Sequence, residues 1–142
     1  MNARFWISGV LMTIAAGLLG YVVHQMLLGP DYAALATLGP IMRTPADSAH
    51  YMQWLVLADA AIGFGFTWIY RQGFTPGKSE LAQGLRCGVA IALVSTIPMF
   101  LIYYAVEPMP WALVQKQLIF SSAQMLLLGM LVSILNPAPK SA

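Results

Sequence analysis

Four long apolar segments dominate the sequence, at about residues 5–28, 51–70, 85–106 and 113–135. Each has roughly the 20 mostly apolar residues that a helix needs to cross the hydrocarbon core of a bilayer. Clusters of proline and glycine separate the segments, and such clusters end helices. The pattern predicts an all-α, polytopic membrane protein, with four transmembrane helices in a single domain over residues 1–142.

The composition also indicates a membrane protein rather than a soluble domain. Hydrophobic residues make up 59% of the chain and charged residues only 8%, whereas charged residues are about 25% of ordinary soluble proteins. So few charged side chains cannot cover a soluble domain with a polar shell. The net charge of +2 is too small to suggest a nucleic-acid partner. Cys87 is the single cysteine, which excludes an intramolecular disulfide and favours a buried, inert thiol.

The distribution of lysine and arginine predicts how the helices are oriented. Basic residues near the ends of membrane helices concentrate on the cytoplasmic side. On one side of the predicted bundle lie Arg4, Arg71, Lys78, Arg86 and Lys140, and on the other lie Arg43 and Lys116. This imbalance predicts an up-down bundle with both termini and the second loop in the cytoplasm, and the short second and third loops fit that topology. The first apolar run is too long for a typical signal-peptide core, so we expect an uncleaved first helix.

Small residues recur on one side of every predicted helix, at spacings of three or four. Lipid tails are as apolar as leucine, so helices in a bilayer associate through close backbone approach, which small residues permit. We therefore expect the glycines of these stripes to lie where helices pack. They are Gly9, Gly17, Gly20, Gly63, Gly84, Gly88 and Gly129.

Asp59 interrupts the second apolar segment, eight residues from its start, or about 12 Å along a helix at 1.5 Å per residue. A carboxylate at that depth costs about 2.5 to 3.5 kcal/mol on insertion scales, so we expect it to face inward, to stay partly protonated or to find hydrogen-bond donors. A protonated Asp59 could join helices together, or it could handle protons or cations. The candidate donors at similar depth are Gln124, Ser95, Thr96, Ser121 and Thr13.

His24 and His50 are predicted to lie near the outer boundary, at the end of the first span and the start of the second. Two imidazoles on neighbouring helices can ligate a haem, a pigment or a metal ion. With Asp47 and Asp31 as the nearest further ligands, spread around a loop, the set is weak for zinc. We therefore expect no resident metal or cofactor, and haem or pigment ligation by the two histidines remains the alternative.

The first outer loop contains the stretch "DYAALATL", residues 31–38, which can form two turns of helix. Such a short helix could lie on the membrane surface or cover the mouth of the bundle near His24. At the same boundary Lys116 can extend its ammonium group to the surface, where Glu107 could pair with it.

Four stretches carry a resemblance that spans nearly the whole chain. They read "HQMLLGPDY", "YMQWLVLADA", "LAQGLRCGVAIALVSTIPMFLIYYAVEPMP" and "LLLGMLVSILN". Together they resemble a group of small bacterial four-helix integral membrane proteins of unassigned function. The resemblance implies four helices and a location in the bacterial inner membrane. It carries over no catalytic residue.

Three hypotheses about function follow from these features. The first is a non-enzymatic accessory or interaction subunit of a membrane assembly, whose partners are lipid and either other membrane subunits or further copies of the chain. The second is a small transporter coupled to protons or cations through Asp59. The third is a haem- or pigment-binding protein that uses His24 and His50. A membrane enzyme remains open, but the sequence shows no recognisable catalytic set.

Overall fold

The computed structural model describes residues 2–37, 39, 43, 47, 50–73, 75 and 77–137. These residues form five helices and no strand: α1 (Ala3–Leu27), α2 (Gly29–Ala36), α3 (Met52–Gln72), α4 (Glu80–Val106) and α5 (Trp111–Leu135). Lys140, which entered the prediction of orientation, and Leu38, which ended the predicted loop helix, lie outside the described residues.

Four of these helices, α1, α3, α4 and α5, are long and apolar enough to cross a membrane. The prediction of an all-helical chain with four membrane-length helices is therefore confirmed. Helix α4 begins at Glu80, before the apolar span that starts near residue 85, as Ser79 and Glu80 predict from their capping and first-turn chemistry. Ser79 is its N-cap and accepts a hydrogen bond from the backbone N–H of Ala82. An N-cap hydroxyl fixes the first residue of the helix by bonding to a free backbone N–H of the first turn. Hydropathy, in contrast, identifies only the apolar residues within the helix.

Two of the long helices contain a π-helical segment, Val22–Leu27 at the end of α1 and Ala92–Thr96 within α4. In α4 the wider turn ends just before Pro98, which has no backbone N–H to donate. At the end of this turn, the N–H of Ile97 donates to the carbonyl of Ala92, five residues earlier. In α1 the wider turn includes His24, and π segments inside α-helices often occur at functional sites.

The long helices pack mainly as two pairs, α1 with α3 and α4 with α5, and α1 also packs against α5. Between α1 and α3, Gly63 lies directly against the backbone of Thr13. Between α4 and α5, Gly84 and Gly129 face each other so closely that a β-carbon on either would collide with the backbone carbonyl of the other. Small residues at these positions therefore let the backbones touch, as helix association in lipid requires.

Buried apolar side chains form two clusters at different heights. The larger one joins the long helices and includes Met12, Phe66 and Leu128. The smaller cluster lies where α1 ends and α5 begins, and it includes Leu28 and Leu113 together with Leu35 of α2, so α2 is fixed to this end of the molecule.

The outer surface of the long helices is strongly apolar. Leu18 is 64% exposed and Val94 is 78% exposed, and many other large apolar side chains are exposed beside them. An apolar exterior of this extent on four membrane-length helices fits contact with lipid tails.

Candidate functional site

Asp59 lies on the side of α3 that faces α1, at the contact with Gly17. A β-carbon built on Gly17 would lie 3.0 Å from Oδ2 of Asp59, so the absence of a side chain there leaves room for the carboxyl group. Asp59 is partly exposed, and it makes no hydrogen bond with any other residue that the structure describes. The carboxyl group therefore lies between two helices without a donor from the described part of the chain.

Two of the five candidate donors, Thr13 and Gln124, bond to carbonyls of α1 but not to Asp59. Thr13 lies one turn before Gly17, and its Oγ1 donates to the carbonyl of Gly9 at 2.8 Å. Gln124 of α5 donates from Nε2 to the carbonyl of Ala16 at 3.4 Å. Both groups therefore bond to the backbone of α1 and not to the carboxyl group.

The other three expected donors do not reach Asp59 either. Ser95 is exposed and its Oγ donates to the carbonyl of Ile91 at 2.7 Å. Thr96 and Ser121 are buried, and neither bonds to Asp59. None of the five candidate donors therefore bonds to Asp59. A hydroxyl on a helix can bond to a carbonyl one turn earlier, and here this local bond competes with bonds between helices.

Tyr32 of α2 connects three helices through a single hydroxyl group. Its Oη lies 2.9 Å from Nδ1 of His24, in the π-helical end of α1. The same Oη accepts a hydrogen bond from Nε2 of Gln117, in α5, at 3.2 Å. The rings of Tyr32 and His24 also stack, with centroids 6.1 Å apart and planes 18° from parallel. The short helix therefore covers the end of the bundle at His24, one of the two placements that the sequence left open.

A salt bridge strengthens the same contact. Nζ of Lys116 lies 2.7 Å and 2.9 Å from the two carboxylate oxygens of Asp31. Lys116 therefore pairs with Asp31 rather than with Glu107, because α2 brings Asp31 to this position. Burial raises the pKa of Tyr32 above its usual value; the hydrogen bond from Gln117 opposes this effect, and the negative charge of Asp31 adds to it.

The two histidines of the haem and pigment hypothesis have different surroundings. His24 bonds to Tyr32, whereas His50 is exposed just before α3 and makes no hydrogen bond to His24. Within the described part of the chain, no group of three or more His, Cys, Asp or Glu side chains could hold a metal ion. The arrangement of these residues therefore gives no support to ligation by His24 and His50.

One face of α5 carries three buried polar side chains. Gln117, Ser121 and Gln124 are 3%, 5% and 7% exposed, respectively. Oε1 of Gln117 and Oγ of Ser121 have no hydrogen-bond partner among the described residues. Buried polar atoms without a partner are rare in folded proteins, so this face requires an explanation.

A hydrogen-bonded chain at the opposite end of the bundle was not foreseen from the sequence. Nδ2 of Asn136 donates to Oγ of Ser8 at 2.7 Å, and Ser8 Oγ lies 3.1 Å from Oγ1 of Thr67. Thr67 in turn donates to the carbonyl of Gly63 at 2.9 Å. The chain links α1, α3 and the residue that follows α5, and the only signal for it was the isolated polar residues Ser8 and Asn136 beside apolar runs.

Basic side chains cluster at this same end. Nη1 of Arg71 donates to Oδ1 of Asn2 at 3.0 Å. Nη2 of Arg86 donates to the carbonyl of Gly73 at 2.8 Å and to Oγ1 of Thr75 at 3.0 Å. The end of the bundle that holds the start of α1 and the loop between α3 and α4 is therefore the strongly basic end.

Comparisons of the chain with models of protein families, with curated proteins and with solved structures find no match. The polar groups described above are therefore interpreted from their own geometry and chemistry.

Proposed function

We propose that this chain is a non-enzymatic interaction subunit of a membrane assembly. The observation that carries the proposal is Asp59, an acid in the middle of a membrane-length helix that lacks a donor among the described residues. Ionisable groups at such depth are costly and generally pair with another group. A donor supplied by a neighbouring membrane subunit would satisfy the carboxyl group and fix the position of that subunit.

The packing of α3 supports this proposal. Among the described helices, α3 packs extensively only against α1, and much of its surface is exposed, including Leu55 and Val56. Lipid tails satisfy such apolar side chains as well as protein does, but lipid tails cannot hydrogen-bond to Asp59. The carboxyl group therefore marks the edge between α1 and α3 as a surface suited to another protein.

A photo-crosslinking experiment in native membranes tests the proposal. A photoreactive amino acid at position 55, one turn from Asp59, should give a protein adduct, whereas the same group at position 94, on the exposed side of α4, should give mainly lipid adducts. Asp59→Leu should reduce the protein adduct about threefold to tenfold, the size expected for an intramembrane polar contact of about 0.6 to 1.4 kcal/mol. Asp59→Asn should retain most of the protein adduct, because the amide side chain can still donate and accept hydrogen bonds.

Two results would contradict the proposal: lipid adducts alone at position 55, or a protein adduct that Asp59→Leu leaves unchanged. The partner can be a second copy of the chain or a different subunit. Co-expression of two differently tagged copies separates these cases, because only self-association joins both tags in one adduct.

We further propose that the basic end of the bundle faces the cytoplasm of a bacterial cell, with both termini inside. Arg71 and Arg86 lie at that end, and basic residues are retained on the cytoplasmic side. A cysteine at position 77, in a Cys87→Ser background, should resist a membrane-impermeant thiol reagent in intact spheroplasts and react after permeabilisation. Labelling of position 77 from outside would reverse the orientation.

A small transporter coupled to protons or cations is the second candidate, and one observation favours it. Gln124 bonds to Ala16 and Asp59 lies against Gly17, so two polar groups meet consecutive residues of α1 near the middle of the membrane. Asp59→Asn should then abolish flux driven by a pH gradient in liposomes. If the wild-type protein shows no flux, this candidate is removed.

A further inference from the structure

The face of α5 that is directed towards α1 and α2 carries a continuous polar line. Gln117, Ser121 and Gln124 stand at spacings of four and three, which place side chains on one face of a helix. Gln117 bonds to Tyr32 of α2 at one end of the line, and Gln124 bonds to the carbonyl of Ala16 of α1 at the other. Ser121 therefore lies between two positions whose contacts are fixed.

This line has more polar atoms than the protein can satisfy. Oε1 of Gln117 and Oγ of Ser121 lack partners, although the two residues are 97% and 95% buried. No bulk water reaches the core of a bilayer, so an unsatisfied polar group there costs several kcal/mol. Side chains one turn apart on a helix have β-carbons about 5 to 6 Å apart, a separation that a single bridging water molecule can span.

The facing part of α1 leaves room along this line. A β-carbon built on Gly20 would lie 3.7 Å from Nε2 of Gln124, an ordinary contact distance, so the two helices are not pressed together there as they are at Gly84 and Gly129. Beyond Gly20, α1 widens into its π-helical segment, Val22–Leu27. The seam between α1 and α5 is therefore polar, and at Gly20 it lacks the backbone-to-backbone contact that joins Gly84 and Gly129.

We propose that ordered water fills the seam between α1 and α5, from Gln117 through Ser121 to Gln124, and that α2 covers its outer opening with Tyr32. Buried water of this kind typically bonds to polar groups that the protein leaves unsatisfied. The proposed row of water molecules ends at Gln124, whose amide donates to the carbonyl of Ala16. Ala16 is one residue before Gly17, which lies against the carboxyl group of Asp59. This inference is independent of the proposed function, because a hydrated seam would exist in an interaction subunit and in a transporter alike.

Solid-state NMR of the full chain in liposomes tests the inference by measuring magnetisation transfer from water to assigned side chains. The side-chain amides of Gln117 and Gln124 should receive magnetisation at least several-fold faster than the methyl groups of Leu128 and Val132, which are 0% exposed. Equal rates for Gln124 and for these methyl groups in the wild-type protein would overturn the proposal, and this comparison needs no variant.

Substitutions at two neighbouring serines test whether water reaches Gln124 along the polar line of α5. Ser121→Ala removes the middle polar group, so transfer to Gln124 should fall towards the rate of the Leu128 methyl groups. Ser122→Ala is the matched control, because Ser122 lies outside the polar line and makes no hydrogen bond within the described chain; it should leave the rate unchanged. If Ser121→Ala also leaves the Gln124 rate unchanged, water does not follow this seam.

Discussion

Oη of Tyr32 lies 2.9 Å from Nδ1 of His24, although the two side chains belong to different helices. The same oxygen accepts a hydrogen bond from Gln117, and an amide nitrogen can only donate. A phenol has one proton and two acceptor lone pairs, so the Tyr32 hydroxyl can accept from Gln117 and still bond to Nδ1 of His24 in either tautomer of the imidazole. One hydroxyl group in this way holds α2 to both α1 and α5.

Removal of that hydroxyl should loosen α2. Tyr32→Phe keeps the ring and its stacking on His24 but loses both hydrogen bonds, and it leaves the buried Gln117 and the half-buried His24 without this partner. We expect the free energy of unfolding to fall by about 1 to 3 kcal/mol, measured by reversible unfolding in mixed micelles. Tyr21→Phe is the control, because Tyr21 is 61% exposed and should change stability by less than about 0.5 kcal/mol. A Tyr32→Phe protein as stable as this control would contradict the role of the hydroxyl.

The raised pKa of Tyr32 predicts that the protein loses stability at alkaline pH. The pKa of Tyr32 is raised in the folded protein by burial, whereas tyrosine in an unfolded chain titrates near a pKa of about 10. Above that pH the unfolded chain releases a proton that the folded chain still holds, so the free energy of unfolding must fall as pH rises. Denaturant titrations above and below about pH 10 should show a steeper loss for wild type than for Tyr32→Phe. Identical pH profiles would show that Tyr32 does not titrate differently in the two states.

The sequence predicted the four long helices because their signal is strong and local. Each apolar run is as long as the bilayer is thick, and no tertiary contact is needed to read it. The start of α4 could be read from Ser79 and Glu80, which are local signals as well. The position of α2 over His24 remained one of two options, because a two-turn amphipathic helix has a similar sequence whether it contacts lipid or protein.

The hydrogen-bond partners of the polar side chains could not be read in the same way. Whether Thr13 or Ser95 bonds to its own helix or to Asp59 depends on the rotation of each helix about its axis and on the side-chain rotamer. A single sequence does not give that rotation. For the same reason, the chain from Asn136 through Ser8 to Thr67 was not predicted.

The contact between Gly84 and Gly129 should tolerate no added side chain. In Gly129→Ala, the new methyl group would collide with the carbonyl of Gly84 and with the backbone of Gly88, so α4 and α5 must separate. We expect a loss of about 1 to 3 kcal/mol, the usual cost of overpacking, measured by the same unfolding assay. Gly65→Ala is the matched control, since a β-carbon at Gly65 meets no other atom within 4 Å. If both variants lose the same stability, packing of α4 on α5 is not what the glycine provides.

The hydrogen-bonded chain at the basic end should couple α1 to the end of α5. Thr67 donates to Gly63, so the proton of Ser8 is directed to Thr67, and Ser8 accepts from Asn136. A chain of donors aligned in one direction is strengthened by mutual polarisation. A double-mutant cycle of Ser8→Ala and Asn136→Ala isolates the bond between those two residues.

We expect that cycle to give a coupling free energy of about 0.6 to 1.7 kcal/mol, the range measured for hydrogen bonds between membrane helices. Stability would be measured by reversible unfolding of each of the four proteins in the same mixed micelles. A second cycle, with Ser122→Ala in place of Asn136→Ala, should give no coupling, because Ser122 makes no hydrogen bond within the described chain. Equal coupling in the two cycles, or none in the first, would show that the chain of bonds does not join α1 to α5.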